Sequence, residues 1–349
     1  MKTKVFFIPK NHEYINRMKC ALEDLDVEVL TLRPFHWSSF GNIYNILKYS
    51  KEGYKIIHVH WLYIFPLSII MKSIYYFLRY LDIKIIWEMH NILPHGYKEK
   101  DKAISRWFYE RVDAIIYHSR EDVARAKILL DITLDKKHII IPHGHFNESY
   151  ANNLSRTRAR DILDIPHHYR VILCFGFIKK NRGYEYLVEA TKDMKDTLIL
   201  IVGRILHKST YRKLLEYRAT NPNIVLFPKW IPDEEVQIYF NACDVVVLPY
   251  TDITTSGVIP LAYSFKKPVI TSAIGGIKDV VNKRTGILVP PRNSTALRSA
   301  IQDIFQKDLF TMGDEAYIHA QREFNWISIA QNIKNLYFSL LNQQPTVTS

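Results

Sequence analysis

The strongest constraint on this chain is a rhythm that runs, stops and starts again. Apolar runs alternate with amphipathic stretches: VFFIP (5–9), VEVLTL (27–32), IIHVHW (56–61), IKIIWEMHN (83–91), DAIIYHS (113–119) and KHIIIPHG (137–144). Segments of helical pattern, such as NRMKCALEDL and KAISRWFYERV, lie between them. Strands that are apolar along their whole length and separated by helices belong in a parallel sheet covered on both faces. Residues 151–168, ANNLSRTRARDILDIPHH, are polar and charged and read as a connection. The rhythm then resumes with YRVILCFGFI (169–178), TLILIVG (197–203), NIVLFP (223–228), DVVVLPY, PVITS and GILVPP. The pattern predicts an α/β protein of two doubly wound units, with a last helix at WISIAQNIKNLYFSLL (326–341).

Length agrees, since 349 residues exceed what one ordinary core organises. The predicted division is 1–150, 151–325, and a terminal helix with a polar tail over 326–349. Two such units offer a ligand the crevice at the carboxyl ends of their strands, where helix N-termini point. The formal net charge of +12 calls for an anionic partner of some kind: nucleic acid, a membrane surface or a phosphorylated small molecule. The Lys and Arg are scattered and no nucleic-acid motif appears, so no nucleic-acid partner is expected. No GxGxxG follows the first strand of either half, which argues against a dehydrogenase. The three cysteines are far apart, and the 14 histidines show no ligand spacing, so neither disulfide framework nor metal is expected. No signal peptide is visible, and charges interrupt the apolar region 61–87, so the expected location is cytoplasmic.

Within the second half, VVVLPYTDITTSGVIPLAYS ends a strand and opens a helix on small and hydroxylated residues. Thr254, Thr255, Ser256, Gly257 and Val258 read two ways. They are a plain helix cap, or a phosphate cradle in which free N–H groups meet an anion and Gly257 lets it come close.

The chain resembles the group 1 glycosyltransferases of the GT-B fold over nearly its whole length, most strongly from Lys137 to Pro291. The phrases that carry the likeness occur in order: IIIPHG, FGFIKKNRGYEYLVEA, LILIVG, WIPDEEVQIYFNACDVVVLPY, SGVIPLAYSFKKPVITSAIGGIKDVV and TGILVPP. FNWISIAQNIKNLY is similar to the family's terminal helix, which returns to the first domain. The resemblance implies two Rossmann-like domains facing across a cleft. The second would bind a nucleoside-diphosphate sugar, GDP- or UDP-linked, as co-substrate and without a cofactor or metal. A hexose would pass, with retention, to a saccharide or polyprenyl-linked acceptor on the first, in polysaccharide or glycoconjugate synthesis.

Site residues follow from that likeness. Arg182 matches the family's cation before the second glycine and chelates phosphate well. Phe177 stands where relatives have Arg, and Lys180 is assigned to replace it. Gly176, Gly275 and Gly276 lie along the donor, and Trp230 with Ile231 at the base. The family's pair of glutamates is missing; Asp252 is the only carboxylate near the first one's place, as a sugar contact or a turn cap. In the first half, EMHN makes His90 the residue for the transferred sugar, against the alternative of a buried structural histidine. Asn11, His12, His60, Trp61 and His95 are assigned to the acceptor. The helix MKSIYYFLRYL mixes basic and aromatic residues, which suits either an anionic membrane surface or packing on the sheet. Outside this family, the frame also fits a nucleotide-sugar epimerase, and the charge a basic nucleic-acid binder.

Overall fold

The computed structural model describes residues 2–9, 12–33, 40–61, 68–93, 99–147, 149–253 and 255–342. The chain divides into two compact units, Met1–Gly144 with Asn325–Ser349, and His145–Phe324.

The first unit is built on six parallel strands: β1 (Thr3–Ile8), β2 (Val27–Thr31), β3 (Ile56–Val59), β4 (Lys84–Glu88), β5 (Ala114–Tyr117) and β6 (Lys137–Ile140). Their order in the sheet is β2-β1-β3-β4-β5-β6. The chain therefore reverses its direction of winding between β1 and β3, and the carboxyl ends of those two strands border a crevice. The Val, Ile and Phe of β1, β3 and β5 are buried on both faces, as covered parallel strands require. The helix Trp326–Leu341 belongs to this unit. Asn325 opens it, its side chain accepting the N–H groups of Ile327 and Ser328 at 2.9 and 3.2 Å. Trp326, Ile329, Ala330, Ile333, Leu336, Tyr337 and Leu340 recur at helical spacing and join the core formed with the helix Glu13–Glu23. The Trp326 indole lies flat over Gly144, where a Cβ would stand 2.3 Å from the ring.

The second unit has strands β7 (Arg170–Phe175), β8 (Thr197–Val202), β9 (Ile224–Phe227), β10 (Val245–Leu248), β11 (Val269–Ser272) and β12 (Gly286–Val289), all parallel, in the order β12-β11-β10-β7-β8-β9. Here the reversal falls between β7 and β10.

One expectation needs correction. The charged stretch 151–168 is more than a connection: it carries the helix Arg156–Ile162, capped by Ser155. One of its charges points inward, while Arg156, Arg158, Asp161 and Asp164 stay exposed. Arg160 is fully buried, donates to the carbonyls of Ala242, His167 and Tyr169, and pairs with Asp244 at 2.9 Å. The same carboxylate accepts the Val171 N–H at 2.8 Å and so anchors the start of β7. In the apolar region of the first unit, the helix is Ser68–Tyr80. Among the described residues no helix is long and apolar enough to cross a membrane.

Candidate functional site

At the reversal in the second unit, two loops are locked together. After β7 the chain turns at Gly176, with φ of +107°, and makes a short turn at Lys180–Arg182 before the helix Tyr184–Thr191. After β10 it runs through Pro249 and Tyr250 to the helix Val258–Ser264. Gly183, with φ of +67°, brings the loops into contact: a Cβ there would lie 1.9 Å from the Pro249 carbonyl oxygen. The Thr251 N–H donates to the Asn181 carbonyl at 3.1 Å, and the Asn181 side chain returns a bond of 2.5 Å to the Asp252 carbonyl.

A chain of hydrogen bonds runs through this junction. Arg182 is buried, its guanidinium against Gly176, and it donates from Nε to the Phe177 carbonyl at 3.1 Å and from Nη1 to Tyr250 Oη at 2.8 Å. A guanidinium only donates. Tyr250 therefore accepts from it, and its hydroxyl lies 2.8 Å from Ser256 Oγ, where either oxygen can be the donor. Ser256 Oγ also accepts the Val258 N–H at 3.3 Å. When Tyr250 is the donor, both Ser256 lone pairs are engaged and its hydroxyl has one proton to give to a ligand. This revises the cradle: the Val258 amide is taken by Ser256. Among the described residues, the Ser256 and Gly257 amides have no recorded protein acceptor. Thr255 lies half-buried beside them, and Thr254 falls outside the described residues.

Other expected donor residues are distributed around this point. Lys179 rather than Lys180 stands by the chain: burial first, then the Arg182 charge, pushes its ammonium down to about 8, with Asp252 opposing. Lys180 is exposed and lines a groove with Tyr184, Ser209, Thr210, Lys213 and Tyr217. Asp252 is exposed, its carbonyl held by Asn181. Trp230 is 61% exposed after β9, its ring 6.3 Å from that of Phe177, which is 37% exposed. Together they form an open aromatic face, while Ile231 beneath is buried. Gly275, with φ of +57°, and Gly276 make the buried turn from β11 into the helix Ile277–Val280.

At the reversal in the first unit, polar side chains converge on one carboxylate. Glu88, the last residue of β4, has no exposure. Its Oε1 accepts from Tyr14 Oη. Its Oε2 is 3.1 Å from His58 Nε2 and 2.8 Å from His60 Nδ1, while His90 Nε2 and His118 Nε2 are each 3.6 Å from the carboxylate. The His118 tautomer is fixed. Its Nδ1 lies 3.0 Å from the Ile141 carbonyl, which can only accept, so neutral His118 accepts at Nε2 from His90 Nδ1, 3.0 Å away. Burial keeps His90 well below the usual imidazole range and takes His60 down to about 4. Burial also pushes the Glu88 carboxyl up, yet the imidazole contacts outweigh it and hold the group ionised. The positive charge that would do this most strongly is what burial denies the same histidines. We read the carboxylate as ionised and His60 and His90 as neutral, because desolvation is the leading influence on both rings.

This geometry sorts the expected acceptor residues. His90 is 7% exposed and stacks beneath half-buried Trp61, with ring centroids 4.6 Å apart. His12 is exposed, caps the helix Glu13–Glu23 through Nδ1, and lies 4.7 Å from the Trp61 ring. These three face the crevice edge. His60 is corrected: fully buried between Phe7 and Glu88, it serves the carboxylate and reaches no ligand. Asn11 and His95 lie outside the described residues. Glu88, Tyr14 and Tyr250 were not foreseen. The signal for Glu88 was present, a charged residue closing the apolar run IKIIW, where a buried charge needs partners.

Comparison with known proteins agrees with this architecture. Residues 169–307 match the family described as glycosyl transferases, group 1. D-inositol 3-phosphate glycosyltransferase of Corynebacterium aurimucosum is 23% identical, over 93% of this chain and 80% of that protein. The putative teichuronic acid biosynthesis glycosyltransferase TuaC of Bacillus subtilis is 24% identical, over 74% of this chain and 62% of its own length. Among solved structures, sucrose-phosphate synthase from Thermosynechococcus elongatus aligns with a TM-score of 0.76 at 20% identity, covering 98% and 99% of the two chains. Anabaena HepE, solved with UDP and glucose, aligns with a TM-score of 0.74 at 17% identity, covering 97% and 100%. Residues 169–307 are thus similar to the group 1 glycosyltransferases, and the chain shares the two-sheet GT-B fold of its solved neighbours.

Proposed function

We propose that the second unit binds a nucleoside-diphosphate sugar at the β7/β10 reversal, and that a hexose passes from it, with retention, to a saccharide or lipid-linked saccharide held by the first unit. The observation that carries this is the hydrogen-bonded chain Arg182–Tyr250–Ser256 beside two backbone amides; with Tyr250 donating to Ser256, it presents a hydroxyl proton and both amides to an anion. As the bond from the anomeric carbon to the diphosphate breaks, negative charge builds on the leaving oxygen. The Ser256 hydroxyl, backed by a buried guanidinium, and the Lys179 ammonium stabilise that charge where it develops. In this reading they do so without a metal at the diphosphate. The open face of Trp230 and Phe177 stacks the base. A UDP-sugar is the first donor to try, since HepE was solved with UDP and with UDP-glucose.

On the first unit, His90 and Trp61 offer an imidazole and an aromatic face, suited to sugar hydroxyls and the apolar side of a pyranose. Asp252, exposed near Lys179, is assigned to a hydroxyl of the sugar or acceptor. The lipid-linked acceptor draws support from Lys72, Tyr76 and Tyr80, exposed on the helix Ser68–Tyr80; Arg79 there is committed to Asp113 at 2.9 Å. Location at the cytoplasmic face of a membrane follows from the same residues and belongs to the same proposal.

The test is release of nucleoside diphosphate from a panel of sugar nucleotides, with and without glycoside or polyprenyl-linked acceptors. Acceptor-dependent release supports transfer, and the anomeric configuration of the product reads the stereochemistry. Interconversion of the donor sugar without acceptor would show an epimerase instead. Binding of oligonucleotides but of no sugar nucleotide would overturn the proposal altogether.

A further inference from the structure

Three ligand-type atoms in the first unit lie together without a hydrogen-bond partner. They are His58 Nε2, His60 Nδ1 and Glu88 Oε2, on side chains with no exposure. We propose that they form a binding site for one divalent first-row transition ion, of which Zn²⁺ is the natural probe.

Geometry is the first argument. The two nitrogens are 3.1 and 2.8 Å from Glu88 Oε2, yet neither contact is aligned as a hydrogen bond. Ligands of a single tetrahedral ion stand about 3.3 Å apart, edge to edge, given metal–ligand bonds of roughly 2.0–2.1 Å. Their lone pairs aim at the ion and not at one another. Near-contact without alignment is what such a set looks like.

Charge is the second. Every ion-pair contact recorded for Glu88 is to a histidine, and no Lys or Arg among the described residues is paired with it. A buried carboxylate without a cationic partner is costly. A dication held by these three atoms would offset its charge.

The surroundings are the third. Tyr337 Oη is 2.7 Å from His58 Nδ1, and Tyr14 Oη donates to Glu88 Oε1. Such outer partners orient ligands in metal sites. Two imidazoles and one carboxylate suit Zn²⁺, Co²⁺ or Ni²⁺ rather than Mg²⁺ or Ca²⁺. The ion would join the ends of β3 and β4 and, through the two tyrosines, the helices Glu13–Glu23 and Trp326–Leu341. Its role is structural, and it is separate from donor binding in the other unit.

The experiment uses full-length protein without a histidine tag, stripped with a chelator and then titrated with Zn²⁺ by calorimetry and with Co²⁺ by visible absorption. The expected result is one ion per chain, a rise in Tm on adding Zn²⁺, and the Co²⁺ spectrum of a low-coordinate site. His60→Gln and Glu88→Gln should each weaken binding by at least about 100-fold. His138→Gln, which alters an exposed histidine bonded to the Lys136 carbonyl, should not. If the Glu88 variant fails to fold, the wild-type stoichiometry and Co²⁺ spectrum decide. Folded wild-type protein that takes up neither ion, or stoichiometric binding that survives both substitutions, overturns the proposal.

Discussion

Tyr250→Phe removes one oxygen and tests the hydrogen-bonded chain of the second unit. Tyr250 has 1% exposure, and its ring fills the same space as phenylalanine, so the effect isolates the hydroxyl. Arg182 keeps its bond to the Phe177 carbonyl and loses the one from Nη1 at 2.8 Å. A buried bond from a charged group contributes about 1.5–3 kcal/mol. Ser256 loses a neutral bond, but it is half-exposed and water replaces it at little cost. The stability loss is therefore about 2 kcal/mol. At about 2–4 °C per kcal/mol for a domain of this size, the transition of the second unit should fall by about 4–8 °C. Donor affinity should fall too, because nothing now holds the Ser256 proton outward. Losing one hydroxyl–phosphate bond of about 1.5–2 kcal/mol raises Kd by roughly 10- to 30-fold. The assay is thermal unfolding of the full chain, with calorimetric titration of UDP-glucose or whichever donor the screen selects. Ser256→Ala should match the affinity loss, with a fall in Tm of its own because Tyr250 Oη and the Val258 N–H lose their partner, and the double variant should bind no worse than either single one. A Tyr250→Phe protein with unshifted Tm and unaltered Kd would refute the chain; additive affinity losses would show that Tyr250 does not act through Ser256.

Three further outcomes follow from the same geometry. Lys179 titrates at about 8, and a bound diphosphate would raise that value, so donor affinity should hold below pH 8 and decline as pH rises through about 8–9; Lys179→Arg should flatten the decline in a Kd–pH series. Trp230→Ala should raise the donor Kd by about 10-fold, in line with the roughly 1–3 kcal/mol of base stacking, without moving Tm, since the ring is 61% exposed. Gly144→Ala places a methyl 2.3 Å from the Trp326 ring and should cost about 1–3 kcal/mol by overpacking, read as a lower denaturation midpoint with donor affinity intact.

Strands and their order of winding were legible because a covered parallel strand must be apolar throughout, and that signature survives in runs such as VILCF and LILIV. The helix 326–341 was legible for a similar reason, its apolar residues recurring at helical spacing. Arg160 was not, because a buried arginine looks like any other charge until its partner is known, and Asp244 lies 84 residues away. The same limit hid Glu88: its histidines sit on β3, after β4 and after β5, brought together by strand order alone. His60 was misassigned for the complementary reason. In IIHVHW the alternation of faces places His58 and His60 on one side, and only the fold shows that side to be the interior.

The two units share a winding scheme, yet their reversals carry different chemistry, and that difference supports the proposed division of the substrates. At β7/β10 the groups left for a ligand are donors: a hydroxyl proton, two amides and an ammonium, backed by a buried guanidinium. An anion satisfies such a set, and a neutral polyol leaves much of it unused. At β1/β3 the edge holds the aromatic face of Trp61, stacked on His90 and flanked by His12, above the fully buried Glu88. Such a face suits the apolar side of a sugar ring better than a diphosphate. That contrast supports the proposal that the second unit takes the donor and the first the acceptor.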